Sequence, residues 1–203
     1  MDTSSSFWDQ RYIADGYLFG TRPARFLTDH AGLLPAQGRA LAVADGEGRN
    51  SVWLAGRGLD VVAFDQSPVG QAKAKTLAKE AGAEVDFRLG DIFDWDWSEA
   101  YDVVAAIFIQ FAAPDQRTRI FAGLRQAVRP GGLLFLHGYT PDQVALGTGG
   151  PPHSENMYTR ALLEDAFGDW RLLRLVDYRA ELSEGPGHSG PSALIDLVAQ
   201  RPA

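Results

Sequence analysis

The stretch Arg39-Ala40-Leu41-Ala42-Val43-Ala44-Asp45-Gly46-Glu47-Gly48-Arg49-Asn50-Ser51 carries the strongest fold signal in this chain. Its first part, Arg39 to Ala44, is a short apolar run with the length of a buried strand. Gly46 and Gly48 then fall in the turn that follows, where missing side chains let backbone approach a ligand closely. The helix expected after them points its free N-terminal amides at the same place, which suits a ligand with a carboxylate tail. Glycines after a strand are also ordinary turn residues, so the pair gains weight only from its surroundings.

Working outward, further strand-like runs span Asp60 to Asp65, Glu84 to Leu89, Asp102 to Ile109 and Leu133 to Tyr139. Between them Ala74, Leu77, Ala78 and Ala81 form one helical stripe. Ile120, Leu124, Ala127 and Val128 form another that stops at Arg129-Pro130-Gly131-Gly132. Strands alternating with helices specify a parallel sheet covered on both faces. Leu162, Leu163, Ala166 and Phe167 mark a later helix capped by Thr159. After it, Trp170 to Leu182 and Ser192 to Gln200 flank the turn-rich Ser183 to Pro191, the pattern of a long hairpin closing the sheet antiparallel. The expected fold is therefore α/β, a Rossmann-like three-layer sandwich whose mostly parallel seven-stranded sheet ends in an antiparallel hairpin. Thr140 to Tyr158, rich in Gly and Pro, is the loop long enough for a lid or substrate wall.

Length and composition bound the function. The 203 residues, 45% of them hydrophobic, suffice for one domain over residues 1–203. A net charge of −7 without any Lys/Arg cluster argues against nucleic acid. The Ser-rich start, Met1 to Trp8, lacks the pattern of a signal peptide, and Val103 to Ile109 is far too short to cross a bilayer. A cytoplasmic enzyme with no membrane partner is expected, as a monomer or homodimer. With no cysteine, thiolate catalysis and cysteine-held metal are excluded, and four scattered His without ligand spacing give no metal site.

The second strand ends in Phe64-Asp65-Gln66, an acid about twenty residues after the glycines, where a carboxylate can hold a ribose diol. The third runs into Leu89-Gly90-Asp91-Ile92, so Asp91 can accept from an adenine amino group while Ile92 packs on the ring. Adenosine fits this set. Either acid alone reads equally as a helix cap or a solvated loop residue. Three such features on consecutive strand ends carry the argument.

These residues, with Arg129-Pro130-Gly131-Gly132, Glu181 to Gly190, Phe7-Trp8-Asp9-x-Arg11-Tyr12 and Phe19-Gly20-Thr21-x-Pro23, resemble class I S-adenosylmethionine-dependent methyltransferases. Within them the chain is similar to the TehB-like, tellurite-resistance related group, over nearly its whole length. The resemblance implies S-adenosyl-L-methionine as cofactor and methyl transfer to a small molecule, such as a thiol, a chalcogen oxyanion or another soft nucleophile. It implies that the Gly46/Gly48 turn holds the methionine part, Asp65 the ribose, and Asp91 with Ile92 the adenine. Ala44, Asp45, Asn50, Gln66 and Phe108 complete the expected cofactor-binding set. The chain departs from the family at Ala42, usually an acid, and at Ala44, usually a glycine; Asp45 or Glu47 is the candidate replacement for the acid. Two other readings stand beside this one: a non-catalytic binding or scaffold protein with a degraded first motif, and an NAD-dependent oxidoreductase, for which Gly46-x-Gly48-x-x-Ser51 and Asp65 form a damaged fingerprint.

Methyl transfer needs alignment and exclusion of water more than a fixed triad. His188 in Gly185-Pro186-Gly187-His188-Ser189-Gly190 is the first candidate base for acceptors that must lose a proton, with an exposed loop histidine as the bland alternative. Arg22 can bind an anionic acceptor, or simply precede a helix with Pro23 in its first turn. Tyr17, Phe19, Phe108 and Phe111 offer faces to a sulfonium, although packing is the commoner fate of such residues. Tyr139 and Tyr158 are further contact candidates, and His137 in the fifth strand reads as a satisfied core residue. Finally, Phe7, Trp8, Arg11 and Tyr12 share a helical face, and Gly16 and Gly20 bracket the apolar tip Tyr17-Leu18-Phe19. Residues 1–23 therefore read as an N-terminal lid, or as plain packing at the sheet edge.

Overall fold

In the computed structural model, which describes residues 4–203, the elements run α1 (Ser5–Tyr12), α2 (Arg25–Asp29), β1 (Arg39–Val43), α3 (Arg49–Gly56), β2 (Asp60–Asp65), α4 (Pro68–Ala81), β3 (Val85–Leu89), β4 (Tyr101–Ile107), α5 (Pro114–Ala127), β5 (Val128–Tyr139), α6 (Gln143–Leu146), α7 (Arg160–Phe167), β6 (Arg171–Ser183) and β7 (Ser189–Gln200). Residues 1–3 of the expected lid lie outside the described residues. The seven strands form one sheet in the order β3-β2-β1-β4-β5-β7-β6. The first five are parallel, and β7 enters antiparallel between β5 and β6. This is the Rossmann-like arrangement with a terminal hairpin.

Alternate residues of the central strands feed two cores. Leu41, Val43, Val62, Phe64, Val104 and Leu134 face α5 and α7, contributing to a cluster with Leu124 and Phe167. Ala40, Val61, Val103, Ala105 and Phe135 face the other way, onto Phe26, Leu27 and Leu54 of α2 and α3. Both faces being buried explains the near-continuous apolar runs in the sequence.

The boundaries that depart most from the sequence expectation do so for local reasons. β1 stops at Val43 and β4 at Ile107 because Ala44 (φ 47°) and Phe108 (φ 57°) turn left-handed. β5 begins at Val128, inside the stretch read as a helix stop, because Val128 pairs with Tyr101 and the register then jumps to Leu133 opposite Val103. Arg129 to Gly132 bulge between these pairs, held where the Gly131 N–H donates to Arg201 O (3.0 Å). β7 begins at Ser189 rather than Ser192, since Ser183 and Ser189 already pair across a short turn. Pro191 is tolerated there because β7 has β6 as its sole neighbour until Leu194 meets Tyr139 of β5. Pro23, expected in the first turn of a helix, instead precedes Ala24, the N-cap of α2.

No helix links β3 to β4. Residues 90–100 cross as turns, with Trp95 stacked on Phe64 (centroids 3.9 Å apart, 8° between planes) and Trp97 lying on Gly123. No described helix is long and apolar enough to cross a membrane.

Candidate active site

The sheet order reverses between β1 and β4, and in open α/β sheets ligands bind outside the strand ends at such a point. Both strands leave it through the left-handed residues Ala44 and Phe108, the conformations that cluster where backbone is held for function. A cavity of about 180 Å³ opens there.

The turn after β1 is fixed by hydrogen bonds rather than by its glycines alone. The Asp45 N–H donates to Phe64 O (3.0 Å), tying the turn to β2. Asp65 at the end of β2 accepts from Gly46 N–H on one oxygen (2.9 Å) and from Ser67 N–H on the other (2.8 Å). Gly46 (φ 61°) has no side chain because a Cβ would lie 2.6 Å from Tyr12 Oη; at Gly48 (φ 89°) it would lie 2.7 Å from Ala74. The two glycines thus admit α1 and α4, and neither lines the cavity.

The acids in the turn divide. Glu47 accepts from Leu18 N–H (2.7 Å) and pairs with Lys73 (3.1 Å), which also donates to the carbonyls of Ala14 and Gly16. It holds the N-terminal segment and does not line the cavity. Asp45 does line it, taking a hydrogen bond from Ser51 Oγ (2.5 Å). Burial pushes the Asp45 carboxyl up to about 7 against the Ser51 hydrogen bond, and the neighbouring Asp65 charge adds to the rise. Asp65 rises to about 6, also through burial, opposed by the Ser67 and Gly46 amides.

Of the expected cofactor set, Ala44, Asp45, Asn50, Asp65, Gln66, Ile92 and Phe108 line the cavity. Asn50 also accepts from the Ala24 N–H (2.9 Å), so it anchors α2 as well. Asp91 does not line the cavity, because its carboxylate caps its own turn by accepting from Phe93 N–H (3.0 Å); Gly90 and Ile92 face in instead.

The three expected catalytic residues separate in space. His188 lines the cavity and is 7% exposed, not a solvated loop residue. Its ring lies 4.0 Å from Phe108 and 4.4 Å from Phe19. Burial, reinforced by the Arg49 charge, holds its pKa well below 6.5, so it is neutral at pH 7. Arg22 is exposed and donates to Ser183 O (3.5 Å), outside the cavity. Tyr17 also lies outside it, packed on Val52, Leu77 and Ala78. His137 hydrogen-bonds Asp196 (2.8 Å) and stacks on Phe26, and Tyr158 is buried in the core.

The remaining walls come from the N-terminal segment, the long loop after β5 and the β6-β7 turn, the places the sequence offered as lid, substrate wall and His188 turn. α1 contributes Trp8, Arg11 and Tyr12, with Trp8 stacked on Tyr12 at 5.6 Å. The Thr140 to Tyr158 loop contributes Gly149, Gly150 and Pro151, and the β6-β7 turn contributes Gly187. That turn is stitched to the N-terminal tip where Gly187 N–H donates to Leu18 O (2.8 Å). Arg49 and Tyr139 also face in, and Arg49 is paired with Glu184 at 2.7 Å, both nearly buried. Tyr139 was a contact candidate from the sequence; Arg49 was not, although it opens the helix after the glycine turn. Among the described residues, no three His, Asp or Glu side chains come together to hold a metal ion.

Chemically, the cavity offers two carboxyl groups, Asp45 and Asp65, apolar side chains such as Ile92, and a neutral imidazole packed against Phe19 and Phe108. The fold is that of a Rossmann-like α/β domain with its cavity at the point where the strand order reverses. Residues 40–132 match the family described as a methyltransferase domain, and the architecture around them is TehB-like. Over 138 residues the chain is 32% identical to a ubiquinone biosynthesis O-methyltransferase of Xanthomonas axonopodis pv. citri, an alignment covering 66% of this chain and 56% of that protein. The chain therefore spans little more than half the length of that curated relative. TehB from Haemophilus influenzae superposes with a TM-score of 0.71 at 18% identity, covering 97% of this chain and 66% of that one. The N-methyltransferase NodS from Bradyrhizobium japonicum, solved with S-adenosyl-L-homocysteine, gives 0.71 at 12% identity over the full length of both chains.

Proposed function

We propose that this chain transfers the methyl group of S-adenosyl-L-methionine to a small-molecule acceptor. The observation that carries the reading is a single cavity at the strand ends lined both by two acids, Asp45 and Asp65, and by the neutral imidazole of His188. Asp65, already fixed by two amides, has lone pairs left for a ribose diol, and Ile92 and Phe64 offer the apolar slot for adenine. Asp45 stands where a cationic amino-acid tail needs a counter-charge, replacing the acid missing at Ala42. The bound cofactor supplies the electrophilic methyl. The protein's part is to align, to exclude water with its aromatic walls, and to hold an acceptor's proton at His188. The chain's net charge of −7 favours a small acceptor over a polyanion.

The described part of the N-terminal segment acts as a lid in this reading. Glu47 and Lys73 fasten its tip, Gly16 (φ 78°) and Gly20 (φ 68°) flank it, and Phe19 meets His188. A thermal-shift comparison tests the proposal. At about 100 times Kd, S-adenosyl-L-homocysteine should add ~2.7 kcal/mol, a rise of roughly 5–11 °C for a domain this size. A rise with NADH and none with the homocysteine product would assign the site to a nicotinamide cofactor instead.

A further inference from the structure

We propose, building on the methyl-transfer reading, that the acceptor is a neutral aromatic molecule bearing a hydroxyl or thiol, held jointly by Tyr139 Oη and His188 Nδ1. Tyr139 is the residue that selects it. Among the described side chains, these two carry buried polar atoms without a hydrogen-bond partner, and both residues line the same cavity. Buried polar groups are nearly always satisfied, so two orphans on one cavity mark where a ligand's polar group goes.

Their surroundings set the chemistry of that group. Burial keeps His188 neutral and raises the Tyr139 phenol well above its ordinary pKa, so with its proton on Nε2 the imidazole presents a lone pair at Nδ1 beside the Tyr139 O–H donor. A hydroxyl or thiol placed between them would satisfy both, donating to Nδ1 and accepting from Oη. An anion finds no such match. Arg49, the buried guanidinium of the cavity, is already paired with Glu184 at 2.7 Å, and Arg11 is exposed, stacked over Trp8 at 5.3 Å. An oxyanion would also set its charge against the imidazole lone pair. The walls favour a flat ring: Phe108 and Phe19 flank His188, and Tyr139 stands edge-on to it at 5.9 Å.

The backbone keeps this corner open. A Cβ at Gly149 would lie 3.3 Å from Tyr139 Oη, and one at Gly150 would press to 2.9 Å on the Tyr139 ring. Gln110 clamps the Tyr139 backbone, accepting from its N–H (2.6 Å) and donating to its carbonyl (2.8 Å), which fixes the phenol without using its hydroxyl. In the transfer step an acceptor lone pair forms the new bond to the methyl carbon. The acceptor's proton passes to His188 Nδ1, and the electron pair of the breaking carbon–sulfur bond stays on sulfur.

Phenol and benzyl mercaptan serve as neutral probes, with selenite and iodide as anionic ones. The expected result is that both neutral probes bind the protein saturated with S-adenosyl-L-homocysteine, and are methylated with S-adenosyl-L-methionine, in preference to both anions. Tyr139→Phe should raise KM for phenol about two- to tenfold, the worth of one neutral hydrogen bond. It should leave kcat and the homocysteine affinity within about twofold, a split that a merely structural tyrosine would not give. Preference for selenite or iodide, failure of both neutral probes to bind, or an unchanged KM in Tyr139→Phe overturns this inference alone. Absence of any binding of S-adenosyl-L-homocysteine overturns the methyl-transfer reading with it.

Discussion

Replacing Asp65 by Asn separates the two jobs the carboxylate holds. In the folded protein its oxygens accept from Gly46 and Ser67, and Asn offers a single oxygen, leaving one amide facing an NH2 group. An unsatisfied buried donor costs about 1–3 kcal/mol. Against that, burial raises the Asp65 pKa from 3.8 to about 6, so at pH 8 the ionised group carries a penalty of roughly 3 kcal/mol that Asn escapes. The two effects oppose each other, and the net change in stability should stay within about 2 kcal/mol, or roughly 4–8 °C in melting temperature. Cofactor affinity has no such compensation. At least one charged hydrogen bond to the ribose is lost, about 1.5–3 kcal/mol, or about 10- to 150-fold in Kd. Calorimetric titration with S-adenosyl-L-homocysteine at pH 8, alongside thermal melts, measures both. A folded Asp65→Asn protein that binds within about twofold of the parent would refute the ribose role and leave Asp65 as a staple of the turn.

Three further outcomes are expected. Because Asp45 rises to about 7 and Asp65 to about 6 in the folded chain, their contribution to stability is full below the ordinary carboxylate range and lost as pH climbs through those values. A cationic ligand needs both ionised, so S-adenosyl-L-methionine should bind more tightly at pH 8 than at pH 6, with proton release visible in buffers of different ionisation heat; Asp45→Asn should flatten that profile, and a flat profile in the parent contradicts the assignment. Ala44→Gly relieves a left-handed alanine worth about 1–2 kcal/mol at an unfolded-state cost of about 0.4–1 kcal/mol, so melting should rise by a few degrees; a fall would show that Ala44 is not strained. Glu47→Gln, which weakens the hold on Leu18 and Lys73, should speed proteolysis between Gly16 and Gly20, and S-adenosyl-L-homocysteine should slow that cleavage in the parent. Cleavage indifferent to both would remove the lid.

What the sequence disclosed and what it hid follow from range. The apolar runs report burial on both faces of the sheet, so five parallel strands and the closing hairpin were legible, as was Thr159 as the cap of α7, where it accepts from Leu162 N–H. Strand ends were less so. A left-handed Ala44 or Phe108 has no compositional mark, and the Val128 to Tyr101 pairing across a bulge reads locally as the end of a helix. In the site, Asp65 could be placed from its distance to the glycines, but its tie to Gly46 could not. Glu47 and Asp45 looked interchangeable until Leu18, Phe19 and Lys73 were seen to occupy Glu47. Asp91 was placed correctly on its strand edge, yet its side chain answers to Phe93 two residues away. His188 was legible as a residue but not as a buried one, because its cover comes from Phe19 and Phe108, far off in the chain.

The most direct test of the central claim is an isothermal titration of the purified full chain with S-adenosyl-L-methionine. A single cavity lined by Asp45, Asp65 and His188 predicts one site per chain with Kd of about micromolar order. No heat up to about millimolar ligand, with the fold intact, would contradict it.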